Sequence, residues 1–187
     1  GEGLGGTGIV GVVTGFASIC VNGVEIEYAR DTPVNREDTA EPVGALAVGH
    51  VVAVQAVGEG DQMRARRIAA IDAAVGPVTG LDVARGRFAV MGQPAAALEP
   101  GDLAGLRVGQ WVRVSGLRLP DGEIRATRVQ PVAPGQASAT GPLRAAPGAA
   151  LALGGMPVNL RDGAPPAGWR DGDEVQVRGI WTGDRFV

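Results

Sequence analysis

Cys20 and His50 are the one cysteine and the one histidine of the 187-residue chain, and they are its first candidates for chemistry. A thiol nucleophile needs a base nearby, and His50 is the only imidazole that could serve. One cysteine excludes an intrachain disulfide, and one cysteine with one histidine excludes a Cys/His zinc site. The sequence contains no Ser-His-Asp spacing, paired-histidine motif or P-loop. A Cys20–His50 pair stays open, but we expect a small core thiol and a solvated or backbone-bonded imidazole.

Two further stretches invite a binding interpretation. Gly3–Gly8 is glycine-rich, but a dinucleotide loop follows a strand and opens a helix, whereas a strand follows this segment. We therefore expect Gly3–Gly8 to be a flexible or extended arm. The acidic stretch Arg36–Glu41 could bind a cation, but it lacks the alternating carboxylate spacing of a calcium loop. We expect a solvated loop there.

The charge balance opposes nucleic acid as a partner. The chain has 17 basic residues, all arginine, against 20 acidic residues, and its formal net charge is −3. Proteins that bind duplex nucleic acid usually present a basic excess. The densest basic cluster is Arg64, Arg66 and Arg67, but OB barrels that bind single strands add stacking aromatics. The first part of the chain offers only Phe16 and Tyr28 for stacking.

An internal repeat organises the chain. The segment Gly11–Phe16 returns as Gly76–Leu81 and, more weakly, as Gly141–Leu143, so the leading glycines are 65 residues apart both times. A second block, in which a glycine precedes a valine-rich strand, recurs at Leu46–Val54, Leu106–Val114 and Trp169–Val177. The repeat predicts three copies of one small domain.

The sequence of each copy predicts five short strands. Glycine at 31 positions and proline at 13, with only 4 % aromatics, indicate strands and turns instead of long helices. Hairpin turns are predicted at Asn22-Gly23, Met91-Gly92 and Gly154-Gly155. Type I′ turns need positive φ at both central residues, which Met91 suits poorly, so we expect its turn to differ. Five strands in about 60 residues indicate a closed OB-type barrel.

The predicted fold is therefore all-β, with three tandem five-stranded OB-like barrels, the third incomplete. The boundaries are a Gly-rich arm at 1–8 and repeats at 9–72, 73–134 and 135–187. Because a domain of about 60 residues buries only about 60 % of its unfolded surface, we expect the repeats to pack on one another.

The fifth strand of the third copy stops early. Copies one and two continue through Met63–Ile68 and Ile124–Val129, whereas copy three reaches Phe186, aligned with Met63 and Ile124, and then Val187. Either further residues of a longer protein finish this strand, which we favour, or another chain donates it. Gly1–Gly8 is the candidate donor in the second case.

The fourth strands can be assigned face by face, because side chains alternate. Paired valines should point inward at 52 and 54, at 112 and 114, and at 175 and 177. An interaction surface is expected on the opposite faces and the basic cluster, with five candidates: Trp111, Arg113, Val51, Arg64 and Arg66. Trp111 is the leading candidate, because tryptophan is favoured at such contacts. The alternative for Trp111 is a position between two barrels of the same chain.

The start Gly5–Gly11, continued by Thr14–Ile19 and Val21–Gly23, resembles a bacterial domain family of unknown function. The resemblance extends over about residues 5–72 and 76–130 and is weak over 139–187. It implies tandem OB-like repeats in an exported, often lipid-anchored protein of the periplasm, outer membrane or cell surface. It supplies no activity and no catalytic residues. Many members carry lipid on an N-terminal cysteine, so an anchor here is either absent or upstream of Gly1.

These features together predict a non-enzymatic structural or assembly protein of the bacterial cell envelope, with other protein chains as partners. We expect no cofactor and no metal. An OB-type binding module for an oligosaccharide, a peptide or a single-stranded nucleic acid is the alternative. Aromatics clustered on one barrel face would favour the binding module, and apolar surfaces at ends and joints would favour the scaffold.

Overall fold

The computed structural model describes residues 9–15, 17–21, 23–37, 39–58, 63–146, 150–165 and 167–187. The chain divides into two compact units, Gly1–Ile71 and Asp72–Val187. Strands and short 3-10 turns are the regular elements of the described part, so the predicted all-β class is confirmed. Four features named above, the arm Gly1–Gly8, Phe16, Asn22 and Asp38, lie outside the described residues.

The first unit is a closed five-stranded barrel with an added hairpin. Its ring runs β1-β2-β3-β7-β6 and back to β1, and every neighbour is antiparallel except β3 and β7. The hairpin β4–β5 lies parallel to β7 through β4, so the expected loop at Arg36–Glu41 is wrong: both ends of that stretch are strands. The strands are β1 Ile9–Gly15, β2 Ser18–Val21, β3 Val24–Glu27, β4 Val34–Arg36, β5 Thr39–Glu41, β6 Val51–Val57 and β7 Arg64–Ile71.

The second repeat follows the same path. Its ring runs β8-β9-β10-β12-β11 and back to β8, with β10 and β12 parallel. A register shift interrupts β11 between Ser115 and Gly116, as one interrupts β6 between Gln55 and Ala56. The strands are β8 Ala74–Asp82, β9 Arg87–Val90, β10 Gln93–Ala97, β11 Trp111–Arg118 and β12 Ile124–Pro131.

The turn between β9 and β10 corrects a second expectation. Met91 has φ 50° and Gly92 has φ 73°, so both central residues adopt positive φ, as Gly154 and Gly155 do. The Met91 side chain is fully buried, and it packs so closely over Gly76 that a Cβ there would lie 2.5 Å from Sδ. Burial of this side chain offsets the backbone strain.

The third repeat forms the same ring with a shortened fifth element. β13 pairs with β14 and β16, and β14 pairs with β15. Phe186 closes the ring through two single bridges, parallel to Val158 and antiparallel to Trp181. These bridges match those of Ile124 with Ala95 and Arg118, which confirms the alignment of Phe186 with Ile124. The strands are β13 Ala137–Ala146, β14 Ala150–Leu153, β15 Met156–Val158 and β16 Glu174–Gly179.

The second and third repeats share one hydrophobic core. β8 pairs with β13 at Val75–Ser138 and Ala74–Ala139, and one buried cluster extends from Ala73 to Phe186. Packing between these two repeats is therefore confirmed. The inward valines follow the predicted alternation: those at 52, 54, 112, 114 and 177 are buried, and Val175 is half-buried.

Candidate interaction site

A polar residue closes the turn before the fourth strand of every repeat. His50, Gln110 and Asp173 occupy equivalent positions, and each accepts a hydrogen bond from the backbone N–H three residues earlier. The distances are 3.2 Å from Ala47 N to His50 Nδ1, 3.2 Å from Arg107 N to Gln110 Oε1 and 2.9 Å from Arg170 N to Asp173 Oδ2. The backbone-bonded interpretation of His50 is confirmed, because its imidazole accepts a hydrogen bond that closes the turn before β6.

His50 also belongs to a buried ionic cluster in the first unit. Arg36 Nη2 lies 3.4 Å from His50 Nδ1, and Arg36 Nε lies 3.1 Å from Glu41 Oε1. His50 and Arg36 are only 3 % and 5 % exposed. Because two N–H donors face Nδ1, this nitrogen acts as the acceptor, and the network assigns the proton of the neutral ring to Nε2. The cluster ties the β4–β5 hairpin to the start of β6.

Cys20 lies on the outer face of β2. Ile19 and Val21 are buried in the barrel core, so alternation turns Cys20 the other way, and it is half-buried. Its counterparts Ala89 and Ala152 are half-buried as well. The expectation of a buried core thiol is wrong. β1 lies between the strands of Cys20 and His50, because Val12 pairs with both Cys20 and Val51.

Cys20 is therefore expected to react with a thiol reagent in the folded protein, more slowly than in urea. Cys20→Ala should change the free energy of unfolding by less than about 1 kcal/mol, because the side chain contributes little to the core. Absorbance-monitored labelling in buffer and in urea measures the two rates. A native thiol that stays unlabelled until the first unit unfolds would contradict this placement.

The five predicted interaction residues are divided between the units. Val51 is 2 % exposed, and Arg64 and Arg66 are exposed on β7 of the first unit. Trp111 is half-buried and packs against the core that the second and third repeats share. Arg113 Nε lies 3.0 Å from Oδ2 of the fully buried Asp72, so this arginine has a structural partner. A partner contact at any of the five stays a prediction.

Arg118 donates several hydrogen bonds in the second unit, and the sequence reasoning missed it. The guanidinium donates to Gln93 Oε1 at 2.7 Å and to the carbonyl oxygens of Gly122 at 2.9 Å and Thr140 at 3.1 Å. Gln93 and Gly122 belong to the second repeat and Thr140 to the third. Burial lowers the pKa of Arg118 below its ordinary value, and the charge of Glu174 offsets only part of this lowering. Arg118 therefore holds the two repeats together.

Two glycines of the third repeat make room for this guanidinium. A Cβ on Gly141 would lie 2.5 Å from Arg118 Nε, and one on Gly154 would overlap Nη1. Gly141 is the leading glycine of the third copy, and a side chain there would collide with Arg118. The aligned positions of the other copies hold Gly58 and Trp181, so an arginine at position 118 departs from the repeat. This departure is a weak sequence signal for Arg118.

A cavity of about 590 Å³ lies beside β16 in the third repeat. The apolar lining includes Leu160, Val177, Ile180 and Phe186, and the charged side chains among the described lining residues are Arg161 and Arg178.

The hairpin next to the cavity carries an ion pair at its tip. Arg185 donates a hydrogen bond of 2.7 Å to Asp184, and this contact lowers the pKa of Asp184 to about 2. A depressed carboxyl pKa keeps the ion pair intact above that pH and weakens it only as the pH falls through about 2. The carboxylate of Asp184 is therefore paired with the guanidinium of Arg185.

The described ranges contain neither a cluster of metal-ligating side chains nor a membrane-spanning helix. In that part of the chain no three His, Cys, Asp or Glu side chains come together in a way that could hold a metal ion. Over the same residues, no helix is long and apolar enough to cross a membrane.

The geometry defines a class: a protein of tandem OB-like barrels, with a strand-rich third repeat fused to the second. The chain belongs to the DUF5666 family, described as a domain of unknown function, which matches residues 7–69 and again 75–130. The two matches fall on the first and second repeats, and the third repeat lies outside both. A search of curated proteins found no match.

Proposed function

We propose that this protein is a non-enzymatic structural or assembly protein that binds other protein chains. The apolar side chain of Ile180 in the third repeat carries this proposal, because it is 70 % exposed.

The rim of the cavity supports a protein partner. Ile180 is 70 % exposed and Leu160 is half-buried, and both line the recess. Apolar side chains that adjoin one another at the surface form the kind of patch that marks protein contacts. Arginine, which supplies the charges here, is enriched at protein interfaces.

The placement of the reactive side chains supports a non-enzymatic role. His50 accepts from the backbone and faces Arg36, while the Cys20 thiol lies two strands away in the barrel wall. A nucleophile requires a base that is positioned to take its proton. The histidine of this chain is used instead to close a turn.

We propose the bacterial cell envelope as the location, with the protein exported to the periplasm, outer membrane or cell surface. The support is the resemblance of the segments Gly5–Gly11, Thr14–Ile19 and Val21–Gly23 to exported repeat proteins. Fractionation of the bacterium that makes the protein tests this location with a specific antibody. Recovery in the envelope fractions is expected, and recovery in the cytosol would count against it.

Ile180→Glu is expected to weaken association of the chain at least about tenfold, because it places a charge beside the apolar recess. The average mass of the unmodified chain should rise with concentration between about 1 and about 200 µM, as measured by light scattering. Leu98→Glu is the matched control, since Leu98 is 60 % exposed in the second repeat. A mass that stays at one chain throughout would contradict the assembly function.

A further inference from the structure

We propose, on the basis of the protein-binding function above, that the third repeat binds an arginine side chain of a partner protein. The site is a second cavity, of about 410 Å³, at the point where the chain enters β16. We call it the entry cavity. It shares no lining residue with the cavity of about 590 Å³.

The described lining of the entry cavity combines an aromatic ring with two carboxylates. Trp169 supplies the ring, Asp173 and Glu174 supply the carboxylates, and Val175 adds an apolar wall. Asp173 and Glu174 are exposed, whereas Trp169 is half-buried, so the charges stand at the rim and the ring lies deeper. Because both charges of this lining are negative, the entry cavity attracts a cation.

The third copy departs from the repeat at the positions that line this cavity. Where the other two copies hold no carboxylate, the third copy holds Asp173 and Glu174, and it replaces a leucine by Trp169. The aligned residues of the first and second copies are Leu46 and Leu106, His50 and Gln110, and Val51 and Trp111. Those copies form the same ring of strands, so folding alone does not account for an indole beside two carboxylates.

The hydrophobic core holds the indole in place. Trp169 packs against the core that the second and third repeats share, to which its counterpart Leu106 also belongs. Its Nε1 atom is buried and has no hydrogen-bond partner among the described residues. A ligand therefore meets the ring of Trp169 and not its N–H donor, and an aromatic ring attracts a cation.

The two carboxylates keep the capacity to accept hydrogen bonds from a ligand. Asp173 accepts from Arg170 N through Oδ2 at 2.9 Å, which leaves its Oδ1 atom for another donor. Glu174 forms no ion pair with another side chain of the described ranges. Its charge acts on Arg118, but that guanidinium already donates to three other oxygen atoms.

A guanidinium suits this set of groups better than an ammonium does. It is planar, so it stacks on an aromatic ring, and its fork of N–H donors reaches more than one carboxylate oxygen at once. It is also more weakly hydrated than an ammonium, so entering a recess costs less. The methylene stem of an arginine side chain can lie against Val175.

Titration with N-acetylargininamide, a capped arginine that imitates a residue within a chain, tests the site. Proton–nitrogen NMR spectra follow the indole signals of Trp111, Trp169 and Trp181. We expect the Trp169 signal to move to a plateau while the other two stay in place. Trp169→Leu, which introduces the residue of the other copies, identifies the signal by removing it.

Glu174→Gln should weaken binding of this probe at least about fivefold, because it removes a charge and keeps the shape of the side chain. Glu99→Gln is the matched control: Glu99 is exposed in the second repeat, and its replacement should leave the affinity within about twofold. N-acetylcitrullinamide has nearly the same shape as the arginine probe without its charge, and it should leave the Trp169 signal in place.

Three results would overturn the site: equal responses to the two probes, unchanged affinity in Glu174→Gln, or a Trp169 signal that stays in place up to about 50 mM arginine probe. Light scattering of the unmodified chain tests the assembly function separately. Chains that associate but ignore the arginine probe would remove the site and leave that function standing.

Discussion

Arg118→Met should lower the free energy of unfolding of the second unit by about 4 kcal/mol, the largest effect expected of any single substitution discussed for this chain. The carbonyl oxygens of Gly122 and Thr140 and the Oε1 atom of Gln93 would all lose a charged donor. Gln93 is fully buried, so water replaces that donor poorly. The methionine keeps most of the apolar stem, which isolates the loss of the guanidinium.

Tryptophan fluorescence during urea unfolding measures this loss in one unit alone, because Trp111, Trp169 and Trp181 all lie in the second unit. Arg125→Met is the matched control: Arg125 is exposed on the neighbouring strand β12, and its replacement should change stability by less than about 0.5 kcal/mol. Equal effects of the two substitutions would show that Arg118 does not hold the repeats together.

Gly141→Ala should lower the stability of the second unit by about 3 kcal/mol, because the new methyl group would displace a guanidinium held by several hydrogen bonds. The new Cβ would lie 2.5 Å from Arg118 Nε and 3.2 Å from Leu153 Cδ2. In an Arg118→Ala background the same change should lower stability by less than about 1 kcal/mol, since the obstructing side chain is gone.

A double-mutant cycle read by tryptophan fluorescence gives the coupling between the two positions. Gly101→Ala is the control, because nothing lies within 4 Å of a Cβ at Gly101, and it should be nearly neutral. Additive effects of Gly141→Ala and Arg118→Ala would place the two side chains apart and refute the steric explanation.

The backbone path could be predicted from the sequence because its determinants are local and repeated. Glycine before each fourth strand and the valine alternation at 112 and 114 recur at fixed spacing, so strand order followed from the repeat. The alignment of Phe186 with Ile124 predicted the place of the shortened strand, and both residues form equivalent bridges.

Side-chain partners were harder to predict, because they depend on contacts between distant segments. The Met91 turn is tolerated only because Met91 packs over Gly76. The intrinsic turn propensity of methionine does not take such a tertiary contact into account. Cys20 was placed on the wrong face because its small counterparts suit either face of a strand. Arg118 gave a weak signal, since its partners Gln93 and Thr140 lie 25 and 22 residues away in the chain.

The cavity beside β16 could not be anticipated from the sequence. Arg161 and Arg178 lie in a loop and on β16, and they line the same recess only in the folded chain.

Native mass spectrometry of the unmodified chain tests the assembly function most directly. At about 100 µM we expect dimers or larger species beside the monomer, and their share should rise with concentration. Monomers alone at every concentration would contradict the account.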